Sequence, residues 1–126
     1  MKNLTKKILN LLVLVSIAYG CATINETIDP VLGTWNHHLE NLPQGNPDGN
    51  FTISKEGNIY SGVFHGDFGD RELIDLVIEG NEVLGGYFTA KGYRIEMTGV
   101  FEGDTFTGQL DAGVLSFRMT AMRHIL

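Results

Sequence analysis

Residues of the types and spacing that catalysis needs are few in this chain of 126 residues. No G-x-S-x-G, H-E-x-x-H or glycine-rich phosphate-binding motif occurs, so no activated serine, zinc pair or phosphate cradle is predicted. His65 and Asp67 stand close together in the segment HGDFGDRE, but two such residues do not specify an acid–base reaction. We therefore expect a protein that is not an enzyme.

Binding chemistry has better candidates, in four polar ring side chains. His37, Tyr60, Tyr87 and Tyr93 stand in segments of alternating polarity, at positions shared with large apolar residues. A buried imidazole or phenol needs a hydrogen-bond partner, so these groups could converge on the polar part of a small apolar ligand. The alternative is that they belong to an ordinary packed core, in which their polar atoms bond within the protein.

The single cysteine, Cys21, follows an N-terminal targeting segment. Three lysines precede the apolar run ILNLLVLVSIAY, which is too short to span a membrane and is typical of a signal-peptide core. A small residue followed by cysteine after such a run resembles the lipobox of bacterial lipoproteins. The resemblance implies a signal peptide over residues 1–20 and a diacylated Cys21 in the bacterial cell envelope, and Ala22 resembles lipoproteins of the outer membrane. Ordinary secretory cleavage, which would leave a free thiol, is the alternative.

The remaining chain is short and acidic. Residues 21–30 are predicted to be the lipidated cysteine and a polar tether, and residues 31–126 a single folded domain. Without residues 1–20 the chain has 6 basic and 15 acidic residues, a formal charge of −9. This charge disfavours nucleic acid and anionic lipid headgroups as partners. The acyl chains, rather than a basic patch, would then hold the protein at the membrane.

Three repeats with a period of 23 residues predict the elements that position these side chains. They are KEGNIYSGVF (55–64), IEGNEVLGGY (78–87) and FEGDTFTGQL (101–110). In each repeat, glycine suits the first central position of a type II′ hairpin turn, and Asn or Asp suits the second. The resulting register places large apolar residues on one face of every hairpin. In the second hairpin this face collects Ile74, Leu76, Ile78, Val83 and Tyr87.

Two further alternating segments, 32–39 and 114–122, bring the number of predicted strands to eight. Eight antiparallel strands in sequence order, each apolar on one face, remove their exposed edges by closing into a barrel. The predicted fold is therefore all-β, an eight-stranded antiparallel up-and-down meander closed into a small β-barrel. Its interior is either filled by side chains or leaves room for one small ligand.

The first strand carries a resemblance to a known group of barrels. Gly33-Thr34-Trp35, followed by an up-and-down meander, resembles the opening of the calycins, which include the lipocalins and the avidins. The resemblance covers about residues 31–123 and implies a barrel that binds or carries a small apolar molecule. Lipocalins pack an arginine of the last strand over this tryptophan. Arg123 has the matching position, so we expect a cation–π contact with Trp35 that closes one end of the barrel.

The loops contain the remaining signals. The connection 40–50, ENLPQGNPDGN, is the longest between strands and could cover the barrel mouth. Its Asn46-x-Asp48-x-Asn50 segment resembles the start of a calcium loop but lacks the glutamate at the twelfth position, so no metal or cofactor is predicted. A different function would be an interaction module or inhibitor that docks onto an envelope enzyme. Such a module would expose apolar side chains on its rim loops, at Leu42, Pro43, Pro47 and Phe68.

Overall fold

The structure is a computed structural model that describes residues 29–125. The predictions for the signal peptide, for Cys21 and for most of the tether lie outside the described residues. The part of the chain that is described includes no helix of the length and apolar character needed to cross a membrane.

Within residues 29–125, nine antiparallel strands form one sheet that curls into a nearly closed barrel. The first strand pairs with the second and with the last, and every other pairing joins strands that follow one another in the chain. The fold prediction of an all-β up-and-down meander is confirmed, with nine strands instead of eight. The strands are β1 (Gly33–Leu39), β2 (Asp48–Glu56), β3 (Ile59–Gly66), β4 (Gly69–Glu72), β5 (Ile74–Glu79), β6 (Glu82–Ala90), β7 (Tyr93–Glu102), β8 (Thr105–Ala112) and β9 (Leu115–Arg123).

The additional strand, β4, forms one bent segment with β5. β4 pairs with β3, and the N–H of Leu73 extends this pairing by donating to the carbonyl oxygen of Gly62 at 2.8 Å. β5 then pairs with β6 instead. The change of partner takes place near Asp75, whose φ of 55° lies in the left-handed region that Asp tolerates better than most residues. A single segment thus reaches both edges of the sheet and brings them together.

The hairpin turns form as predicted. In the first hairpin Phe51 pairs with Phe64, and in the third Phe101 pairs with Phe106. The turn glycines Gly57, Gly80 and Gly103 have φ values of 61°, 61° and 60°, while the Asn or Asp that follows each of them does not have a positive φ. This combination is that of a type II′ turn, because a type I′ turn would require a positive φ at both positions.

The second hairpin departs from the predicted register in the middle of β6. Bulges interrupt the pairing of β6 with both neighbouring strands around Gly85–Gly86. Because one extra residue exchanges the two faces of a strand, Phe88 becomes buried and Tyr87 turns to the outer surface. There the guanidinium of Arg94 lies 3.7 Å from the centre of the Tyr87 ring. The prediction that Ile74 and Tyr87 face the interior is therefore wrong, and Ile74 is 44% exposed.

Large aromatic side chains fill the half of the barrel in which β1 begins. The rings of Trp35 and Phe101 lie 4.7 Å apart, and Phe106 packs at the same distance from Phe101. Phe106 lies across Gly99 and Gly108, which pair with each other on β7 and β8. A Cβ atom at position 99 would be 2.3 Å from the Phe106 ring. The absence of side chains at these two positions lets the ring reach the sheet surface.

Substitution of Gly108 by alanine should destabilise the barrel. The new Cβ would lie 2.3 Å from the carbonyl oxygen of Thr98 and 2.6 Å from the Phe106 ring, so the core must shift. We expect the free energy of unfolding to fall by about 2 kcal/mol, measured by urea unfolding with the fluorescence of Trp35 as the probe. Gly85→Ala is the matched control, since Gly85 has the same place in its repeat but a Cβ atom there would contact nothing within 4 Å. Equal losses in both variants would contradict this account of the Phe106 packing.

Candidate functional site

One end of the barrel is closed by Trp35 and Arg123. The guanidinium carbon of Arg123 lies 4.4 Å from the centre of the Trp35 ring system, so the expected cation–π contact is present. The same guanidinium donates to the carbonyl oxygens of Leu32, at 2.6 Å, and of Pro30. The indole N–H of Trp35 donates to the carbonyl oxygen of Val31 at 3.1 Å. The segment that leads into β1 is thereby held against the end of the barrel.

Tyr60 also belongs to this closed end. Its hydroxyl donates to the carboxylate of Asp29, which further accepts the ammonium of Lys55 at 3.3 Å and the N–H of Val31 at 3.2 Å. Although burial opposes the change, these hydrogen bonds hold the pKa of Asp29 below its ordinary value. The bond to Asp29, together with burial, raises the pKa of Tyr60. Tyr60 therefore anchors the segment before β1 and does not line the cavity described next.

The opposite end of the barrel contains a cavity of about 420 Å³. It lies where β1, β3, β6 and β8 end and where β2, β7 and β9 begin. The interior is thus neither a wholly packed core nor an open tube, because the aromatic side chains fill only the closed half. Its apolar wall consists of Leu39, Phe64, Phe88, Ala90, Ile95, Leu110 and Phe117.

Loop 40–47 covers part of the cavity mouth. Its residue Leu42 packs inward against the hydrophobic core, and its residue Pro43 is exposed. The N–H of Asn46 donates to the carboxylate of Asp67 at 2.6 Å and thereby joins the loop to the turn between β3 and β4. The sequence-based expectation of a loop over the barrel mouth agrees with this position.

Stacked rings form one side of the cavity. The rings of Phe64 and Phe88 are 4.7 Å apart and within 16° of parallel. Phe68, from the turn between β3 and β4, stacks on both, and the imidazole of His37 stacks on Phe64 at 4.6 Å. The guanidinium of Arg71 lies 5.7 Å from the centre of the Phe68 ring. These nearly parallel rings form an aromatic stack along one side of the cavity.

His37 is the polar side chain that is buried within this apolar cavity. The residue is 5% exposed, and among the described residues neither of its ring nitrogens has a hydrogen-bond partner. Burial lowers the pKa of His37 to about 4, although the carboxylate of Asp48 and the carbonyl groups of Pro47 and His65 favour the proton weakly. The imidazole is therefore neutral at pH 7, and the carbonyl oxygens of Pro47 and His65 lie near its nitrogens without the geometry of a hydrogen bond. Such a group is costly to bury, which makes His37 the exceptional residue of the interior.

The four proposed ligand-binding residues do not converge. His37 lies inside the cavity and Tyr93 lies at its mouth, where it is 62% exposed. Tyr60 is at the closed end and Tyr87 is on the outer surface. The sequence analysis missed Phe88, which the bulge at Gly85–Gly86 turns inward. A pair of adjacent glycines inside an alternating strand was the signal that could have revealed it.

Two histidines pair with aspartates on neighbouring strands at the surface of the barrel. Nδ1 of His65 lies 2.6 Å from a carboxylate oxygen of Asp70, and Nδ1 of His38 lies 2.7 Å from one of Asp48. Asp67 accepts the N–H of Asn46 instead of facing His65. Across residues 29–125, no three His, Cys, Asp or Glu side chains are grouped in a way that could hold a metal ion.

Comparison of the chain with protein-family models, with curated proteins and with solved structures finds no match. The nearly closed antiparallel barrel is compatible with a calycin-like fold.

The burial of His37 predicts a specific dependence of stability on pH. The pKa is lower in the folded state than in the unfolded state, so the unfolded chain binds the extra proton first as the pH falls. The stabilisation by a neutral His37 is thus complete above about pH 6.5 and is lost as the pH falls towards 4. We expect this residue to account for about 2 kcal/mol of the free energy of unfolding lost between pH 7 and pH 5.

The variant His37→Phe keeps the stacked ring and removes the titrating group. Urea unfolding at a series of pH values should show a smaller loss of stability for the variant than for the wild type. The difference between the two proteins isolates His37 from the carboxyl groups, which titrate in both. Parallel pH profiles would mean that the His37 imidazole is not buried in its neutral form.

Proposed function

We propose that this protein is a lipid-anchored lipoprotein of the bacterial envelope whose barrel binds or carries a small, mostly apolar molecule without catalysing a reaction. The observation that supports ligand binding is the cavity of about 420 Å³ at the open end of the barrel. The expected signal peptide and Cys21 support the anchor. The net negative charge of the mature chain supports a role that does not involve nucleic acid.

The size and lining of the cavity suit a small molecule. Pockets for such ligands have volumes of roughly 300 to 1,000 Å³ and are lined mainly by apolar and aromatic groups with a few polar ones. Without a ligand, water molecules would occupy this space. The wall is built from aliphatic and aromatic side chains, whose contact with water is unfavourable. An apolar occupant of the same volume would release that water.

The alternative function is docking onto an envelope enzyme through the rim loops. It would require that the apolar side chains of these loops point away from the barrel. Leu42 and Phe68 instead pack against the hydrophobic core, and Pro47 is half-buried. Of the four rim residues considered, Pro43 alone is exposed. The inward direction of Leu42 and Phe68 favours the ligand-binding function over docking through these two loops.

Filling the cavity should abolish binding of an apolar probe. Ala90 is buried on the cavity wall, so Ala90→Phe would place a ring in the space that the ligand needs. We expect the affinity for N-phenyl-1-naphthylamine, an uncharged dye whose fluorescence rises in apolar surroundings, to fall by tenfold or more. Titration of the purified protein with the dye measures this directly.

The matched control is Thr89→Phe, on the adjacent exposed position of β6. This variant adds the same ring to the outer surface and should bind the dye like the wild type. Dye binding that is unaffected by Ala90→Phe, or absent from the wild type, would contradict a ligand site in the cavity.

The proposed anchor depends on Cys21, whose thiol would carry an acyl group. In a bacterial host, the full-length protein should appear in the membrane fraction, and its mass should include the acyl groups. Cys21→Ser removes the attachment atom, so the protein should lose this added mass and leave the membrane fraction. Retention of Cys21→Ser in the membrane without acylation would show that another part of the protein holds it there.

A further inference from the structure

We infer that the ligand of the cavity is a flat, uncharged, mainly aromatic molecule with one hydrogen-bonding group that pairs with the imidazole of His37. This inference rests on the proposed function and makes it more specific. Three features of the cavity lead to it, namely the unpaired His37, the place of the charged residues and the stacked rings of the wall.

The first feature is the unsatisfied imidazole. His37 is 95% buried, lines the cavity and has no hydrogen-bond partner at either ring nitrogen among residues 29–125. Almost all buried polar atoms in folded proteins have a hydrogen-bond partner, and a buried polar atom without a partner reduces stability. A ligand that brings a hydroxyl or amide group to this ring would supply the missing partner. Residues of the barrel wall around it, such as Phe64 and Phe88, have no side-chain group that could do so.

The imidazole can meet a ligand without any change in the backbone. In the described conformation both ring nitrogens are shielded from solvent. A half-turn about the Cβ–Cγ bond exchanges each nitrogen with a carbon atom in nearly the same place, so the stacking on Phe64 is kept. Gly49, which lies beside Nε2, has no Cβ atom that would press on the ring. The rotation moves Nδ1 to the opposite edge of the ring, and in the inferred complex this edge meets the polar group of the ligand.

The second feature is that the charged residues lining the cavity in the described part of the chain, Asp48, Asp67 and Lys91, stand at its rim. Asp48 pairs with His38, and Asp67 accepts the N–H of Asn46. Lys91 belongs to the two-residue turn between β6 and β7. A charged ligand inside the cavity would lose its hydration and find no opposite charge at depth, which is strongly unfavourable. An uncharged ligand avoids this loss.

The third feature is the shape of the wall. Phe64 and Phe88 stack in nearly parallel planes, Phe68 packs in a similar plane against both, and His37 stacks on Phe64. Aromatic rings gain additional stabilisation from offset stacking with another flat ring. A planar ligand can lie along these rings while its polar group reaches His37. A flexible alkyl chain would fill the volume without this added stacking.

The test uses naphthalene derivatives of nearly equal size as competitors of N-phenyl-1-naphthylamine on the full mature protein at pH 7. 1-Naphthol has one hydroxyl group, and 1-methylnaphthalene has a methyl group in the same place. For each protein we compare the affinity for 1-naphthol with the affinity for 1-methylnaphthalene. We expect the ratio of the affinity for 1-naphthol to the affinity for 1-methylnaphthalene to be about fivefold greater in the wild type than in His37→Phe. The variant cannot form the hydrogen bond with the hydroxyl group of 1-naphthol. The charged 1-naphthoate should compete at least tenfold more weakly than 1-naphthol.

Tyr87→Phe is the matched control, since it removes a phenol hydroxyl from the outer surface of the barrel and should leave the preference for 1-naphthol unchanged. A second measurement does not depend on the folding of a variant. The ¹⁵N chemical shifts of the His37 ring should change when 1-naphthol is added and should change much less with 1-methylnaphthalene. Stacking alone would affect the ring equally with both compounds.

The possible failures can be distinguished. If the wild type does not bind the dye, the proposed ligand-binding function itself is wrong. If the dye binds but the preference for 1-naphthol is the same in the wild type and in His37→Phe, the role of His37 is wrong and the cavity selects for apolar character alone. Tight binding of 1-naphthoate would overturn the exclusion of charge.

Discussion

The guanidinium of Arg123 is the group on which the arrangement of the barrel depends. It covers the indole of Trp35, donates to the carboxylate of Asp104 at 2.9 Å and donates to the carbonyl groups that precede β1. Trp35 and Arg123 are also directly paired across β1 and β9, the contact that turns the meander into a barrel. One cation thus joins the first strand, the last strand, the turn between β7 and β8 and the incoming chain. The large aromatic side chains pack against this end, which leaves the unfilled volume at the other.

The position of His37 follows from this uneven filling. It stands one inward position beyond Trp35 on β1, at the boundary between the packed half and the cavity. A leucine or phenylalanine there would satisfy the packing without burying an unpaired donor and acceptor. A polar ring at the base of an apolar cavity is therefore a cost to stability that a bound partner would offset. The stacking of the imidazole on Phe64 recovers part of the packing energy that an apolar residue would provide.

Much of the barrel could be predicted because the residues that determine each hairpin lie close together in the sequence. The glycine of each type II′ turn and the alternation beside it determine the pairing of Phe51 with Phe64 across the first hairpin. The strand β4 was missed because Gly69–Glu72 has no apolar alternation and forms only through its pairing with β3. The inward direction of Phe88 was missed because a bulge reverses which residues of the strand face the interior, while the alternation of residue types in the sequence stays the same. Tyr60 was misplaced for another reason, since its partner Asp29 is 31 residues away in sequence. The cavity volume depends on how side chains from seven strands meet, which alternation does not encode.

The segment that precedes β1 and the segment that follows β9 both lie at the closed end of the barrel. Asp29 and Pro30 lie there, and beyond β9 the N–H of His124 donates to the carbonyl oxygen of Thr34 at 2.8 Å. The cavity mouth is formed entirely by turns and loops. Attachment of the protein to a solid support through either side of the described chain would consequently present every molecule with its mouth towards the solution. The barrel is for this reason a suitable scaffold for an oriented sensor surface, in which loop 40–47 can be varied without disturbing the point of attachment.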